Sequence, residues 1–61
     1  MQLKIRISMD NAAFEGCNGA EAARILRSVA ETIEDVELSE RSTLALADVN
    51  GNVVGRLAVE E

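Results

Sequence analysis

Sixty-one residues, 48% of them hydrophobic, with a net charge of −5, allow one domain with one thin core. The apolar share is too high for a disordered acidic tail, and the negative charge argues against nucleic acid, which needs a basic stripe. One cysteine and no histidine exclude an intramolecular disulfide and a thiolate or imidazole metal cage, and no loop carries the carboxylate spacing of a Ca²⁺ or Mg²⁺ site, so neither metal nor cofactor is expected.

The chain opens with alternation. Leu3, Ile5, Ile7 and Met9 point one way, and Gln2, Lys4, Arg6 and Ser8 the other. Period two over this length predicts a half-buried strand over Gln2 to Ser8. Met9 to Cys17 breaks the pattern and reads as a structured loop. Asp10, Asn11 and Glu15 surround Phe14, the single aromatic residue. Phe14 either closes the end of the core or anchors a binding loop made with those three neighbours.

A helix is predicted next. Asn18 suits the N-cap and Glu21 the third position of a capping box. From Gly19 to about Asp35 the period becomes 3.6. Ala22, Ile25, Leu26, Val29, Ile33 and Val36 share one stripe, with Arg24, Arg27, Glu31, Glu34 and Asp35 opposite. Cys17, just before the helix, is expected to pack as a small hydrophobe.

Glu37 to Ser42 form a polar connection. Two strands follow, Thr43–Asp48 and Val53–Val59, around Val49-Asn50-Gly51-Asn52. Asn-Gly between apolar runs signals a hairpin. A type I′ loop would pair Val49 with Asn52. A type I turn with a G1 bulge would pair Asp48 with Asn52 and place Gly51 in the left-handed region; Asp48 and Asn50 favour it.

The expected fold is therefore α+β, a single domain over residues 1–61. Its order is β-α-β-β, with one helix on one face of a three-stranded, antiparallel-type sheet. In the bulged register Ala45, Ala47, Val53, Leu57 and Val59 share one side, and Leu44, Leu46, Val54 and Ala58 the other. One helix covers one face only. The first set is accordingly the expected interface of a homodimer, the remaining way to stabilise so short a chain.

Chemistry is scarce. Without histidine no Ser-His or Cys-His nucleophile can be built, and no phosphate loop or dinucleotide fingerprint occurs. The expectation is a binding protein rather than an enzyme. Carboxylates gather late in the helix and beyond, at Glu31, Glu34, Asp35, Glu37 and Glu40, where the helix dipole disfavours them. They form either a solvated face or an acidic patch for a basic partner, and Glu31, Glu34 and Asp35 are its candidate residues. Lys4, Arg6 and Arg56 would serve instead if the ligand were a small phosphate-bearing signal molecule.

Met9-Asp10-Asn11-Ala12-Ala13-Phe14-Glu15, then Ala23-Arg24-Ile25-Leu26, then Asp48-Val49-Asn50-Gly51-Asn52 with Gly55, resemble blocks of short proteins encoded by bacteriophages and prophages. The likeness spans most of the chain. It implies a phage origin, a bacterial cytoplasm and, by analogy, a host-takeover or anti-defence role with a host protein as partner. It implies no catalytic residue. An unpaired thiol, no leader and no apolar run of membrane-spanning length point the same way on compartment. A structural part of a phage particle is a further class consistent with the same residues.

Overall fold

The computed structural model describes residues 1–61. Strand β1 (Gln2–Ile7) leads through a short 3-10 turn (Ala12–Phe14) into helix α1 (Asn18–Ile33), followed by β2 (Thr43–Ala47) and β3 (Val53–Glu60). The sheet is antiparallel with strand order β1-β3-β2, so β3 is central and both other strands are edges. The α+β, β-α-β-β architecture read from the sequence is the architecture observed.

The helix begins one residue earlier than its capping pattern suggests. Cys17 is the N-cap and makes no side-chain capping bond; Glu21 donates its backbone amide to the Cys17 carbonyl at 3.1 Å. The Glu21 carboxylate turns toward the hairpin instead. Cys17 is exposed rather than packed, its thiol resting 3.6 Å from the Glu15 carbonyl oxygen.

The hairpin turn is the bulged form. Gly51 donates to the Asp48 carbonyl at 3.0 Å, Asp48 donates to that of Asn52 at 2.9 Å, and Gly51 has φ +85°. A second irregularity follows. Leu46 pairs with Gly55 but Ala47 pairs with Val53, leaving Val54 as an extra residue on β3. That residue reverses the parity of everything after it.

The consequence corrects the expected interface. Cross-strand rows Leu3/Val59, Ile5/Leu57/Leu44 and Ile7/Gly55/Leu46 all lie on the helix side. Leu57 and Val59 are buried, and Leu57 belongs to the core with Phe14, Ile25, Val29 and Leu46. They cannot share an outer face with Ala45, Ala47 and Val53, which are exposed. The outer face carries Gln2, Lys4, Arg6, Thr43, Ala45, Arg56, Ala58 and Glu60, a polar and small-residue surface. There is no second large apolar face on the sheet.

Apolar surplus exists elsewhere. Leu3 and Ile5 on β1 and Leu26 on the helix are 48%, 37% and 45% exposed. Only six hydrophobic residues are buried outright. The chain exposes 4418 Å², about 600 Å² more than a compact monomer of its mass would. Its radius of gyration is 12.0 Å, against about 10.5 Å for a compact chain of this length.

Candidate binding surfaces

Glu21 and Asp48 are the two buried charged residues, and together they tie the helix start to the loops. Arg24 donates from Nε and Nη2 to the Glu21 carboxylate at 2.9 and 3.0 Å, the i, i+3 spacing bringing them onto one face. The Val49 amide donates to the same carboxylate at 2.8 Å, and Arg24 Nη2 also reaches the Ala47 carbonyl at 3.1 Å. Asp48 accepts from the amides of Asn50 and Asn52 at 2.8 and 2.9 Å, from Asn11 Nδ2 at 2.6 Å and from Asn52 Nδ2 at 3.3 Å.

Electrostatics follow from these partners. The Arg24 hydrogen bonds hold the Glu21 carboxyl below the usual carboxylate range, against the opposing effect of burial. The Glu21 carboxylate in turn raises the Arg24 guanidinium above its ordinary value. Burial pushes Asp48 upward, but the donors from Asn52, Asn11 and Asn50 together outweigh it and the carboxyl ends up lowered. Both acids are satisfied internally, and no buried side-chain nitrogen or oxygen lacks a partner.

This network reassigns part of the loop. Asn11 is spent on structure: its Oδ1 accepts from the Ala13 amide at 3.1 Å while its Nδ2 holds Asp48. Phe14 is 3% exposed inside the core, so it closes the core and does not project as a surface anchor. Asp10 and Glu15 are exposed, Asp10 accepting from Ser8 Oγ at 3.2 Å. Glu31, Glu34 and Asp35 are exposed at the far end of α1, and none of them is ion-paired. The helix spans 16 residues, or about 24 Å. The loop acids and the helix-end acids therefore lie at opposite ends of the molecule and do not form one site.

Compared with protein-family models, with curated proteins and with solved structures, the chain matches none. No helix is long and apolar enough to cross a membrane.

Two exposed surfaces remain as candidates. One is the helix end, with Glu31, Glu34 and Asp35 and no cation in the last turn. The other is the outer sheet face, where Arg6 and Arg56 are direct cross-strand partners. Like charges facing across a ladder destabilise it. Nearby Lys4 is already paired to Glu60 at 2.8 Å, and neither arginine has an ion-pair partner. The molecule is thus polar end to end, with cations on the open sheet face and surplus acid at the helix end.

Proposed function

We propose that the chain is a non-enzymatic, homodimeric accessory protein of phage type that binds and inhibits a bacterial host protein, such as a defence component, in the host cytoplasm. The observation that supports it most is the acidic helix end. Glu31, Glu34 and Asp35 stand exposed and unpaired where the helix dipole makes carboxylates costly. A basic partner surface would be steered to them and would repay that cost. The resemblance to short phage-encoded proteins supports the choice of partner by analogy only.

The test expresses the protein in bacteria that carry a defence system and measures phage plating. The wild type is expected to raise plating on the defended host. The triple variant Glu31→Lys, Glu34→Lys, Asp35→Lys is expected to lose most of that effect while keeping its circular dichroism. Undiminished rescue by the folded triple variant removes the acidic end from the mechanism.

The facing arginines favour a second reading, sequestration of a small phosphate-bearing ligand on the outer sheet face. Bidentate guanidinium-to-phosphate bonds would relieve the Arg6–Arg56 repulsion. Calorimetric titration with cyclic and linear nucleotides decides it: saturable heat that Arg6→Ala abolishes supports sequestration, and flat titrations remove it.

A further inference from the structure

The two edges of the sheet are built differently. Strand β1 carries Lys4 and Arg6, and charged residues on an edge strand are a common guard against pairing with another chain. In an antiparallel β1–β1 pairing centred on Ile5, Lys4 of each copy would face Arg6 of the other. Strand β2 reads Thr-Leu-Ala-Leu-Ala, with no charge and no proline. It is the edge with no charged residue of its own, and Arg24 of α1 caps one end of it at the Ala47 carbonyl.

The backbone direction on β2 is fixed by one bond. Val59 donates its amide to the Ser42 carbonyl at 3.0 Å, so that carbonyl and the peptide groups of residues 44 and 46 turn toward β3. The peptide groups of Thr43, Ala45 and Ala47 therefore point away from the sheet. Only the carbonyl of Ala47 finds a partner there, in Arg24. The side chains of Thr43, Ala45 and Ala47 are small and exposed. A cleft of about 90 Å³ between α1 and this strand is lined by Ser28, Thr32 and Ala45 among others.

We infer that β2 is the seam of a symmetric dimer, in which β2 of a second copy of this chain pairs with it antiparallel to give a six-stranded sheet. This rests on the homodimer within the proposed function and names its interface. A two-fold axis at Ala45 sets Ala45 against Ala45 and Thr43 against Ala47 in about six hydrogen bonds, the Ala47 carbonyl accepting from the second copy as well as from Arg24. The pairs Leu44/Leu46 then meet on the helix face, and no charges are opposed on either face. The α1 helices lie beside the seam and approach each other with Ser28 and Thr32, whose side chains are small. A β1 seam would instead set Lys4 against Arg6 and place each helix at the far side of the sheet.

Native mass spectrometry at micromolar concentration reads the outcome, with circular dichroism confirming each fold. The wild type is expected as a dimer of twice 6.5 kDa, about 13 kDa. Ala45→Lys places two ammonium groups on the axis and is expected to weaken dimerisation at least 100-fold. Ala45→Pro removes only an amide that points away from β3 and should do the same; the lysine variant carries the test if the proline variant does not fold. Leu3→Lys on β1 should leave the dimer intact. A wild type that stays monomeric overturns both the seam and the homodimer. A dimer that survives Ala45→Lys, or that Leu3→Lys dissociates, overturns the seam alone.

Discussion

The backbone amide of Val49 donates to the Glu21 carboxylate at 2.8 Å, so the hairpin turn hangs from the first turn of the helix. The same carboxylate holds Arg24, which in turn holds the Ala47 carbonyl. Glu21→Ala removes one acceptor and leaves three donors without it, in a molecule whose core contains five residues. Its Tm is expected to fall by about 10 °C. Arg24→Ala should fall less, because the Val49 bond survives. Equal losses for the two variants would mean that the ion pair, and not the Val49 tether, matters.

Glu21 and Asp48 also set the acid limit. Both carboxyls are held below their ordinary values in the folded chain. The sign follows directly: the folded state binds protons less readily than the unfolded one, so this stabilisation is complete above the unfolded carboxylate range. It is lost as pH falls below about 4 and the folded groups take up protons. Tm should be nearly level from pH 7 to about 5 and then drop. In the double variant Glu21→Gln, Asp48→Asn the drop should be shallower from a lower plateau. Thermal melts at half-unit pH steps check this, and an unchanged acid slope in the double variant would assign the acid limit to other carboxylates.

The glycines separate backbone necessity from convenience. A Cβ at Gly55 would stand 1.9 Å from the Arg6 carbonyl oxygen, inside a strand pairing that cannot move without dislodging β1. Gly55→Ala is expected to cost more than about 3 kcal/mol or to prevent folding. At Gly51 the space is open, but φ is +85°, and alanine there should cost about 1–2 kcal/mol. Gly19 lies in the helix with nothing near, and Gly19→Ala should stabilise by up to about 1 kcal/mol. Chemical denaturation of the three variants gives the order directly.

That glycine is also where the sequence ceased to be sufficient. The alternation in β1, the 3.6-residue stripe of α1 and the Asn-Gly turn fix three elements and their order, and the first bulge follows from Asp48 and Gly51. The second bulge has no comparable signal. Gly55 inside a strand pattern hints at one, since interior glycines mark bulges and close backbone approaches. Yet only the pairing shows that Val54 is the extra residue, and a shift of one residue moved Leu57 and Val59 from the expected interface into the core. Loop roles were equally illegible. Asn11 looks like a recognition residue in sequence because its partner, Asp48, is 37 positions away.

Phe14 tests how thin the core is. It is 3% exposed and is the largest side chain among the buried residues, seated in a turn outside both helix and sheet. Phe14→Ala is expected to cost about 3–5 kcal/mol, most of the stability available to a chain this short. Phe14→Leu should keep the fold at a loss of one to two kcal/mol, roughly the missing volume. If alanine cost less than about 1 kcal/mol by urea unfolding, the turn would not be part of the folded unit.

The acidic helix end should show the opposite behaviour. Glu31, Glu34 and Asp35 sit where the last carbonyls of α1 already carry partial negative charge, and no basic residue occupies the last turn. Glu31 and the C-cap Glu34 are also three residues apart and repel along the helix surface, and Asp35 adds a third carboxylate in the turn that follows. Replacing Glu34 with lysine is expected to raise Tm by a few degrees at low ionic strength, and the triple lysine variant by more. The gain should shrink in 1 M salt, where screening acts within about 3 Å. A charge reversal that stabilises the fold while abolishing inhibition would show stability given up for binding. If Tm falls instead, these carboxylates serve the fold, and the acidic end loses its claim as a recognition surface.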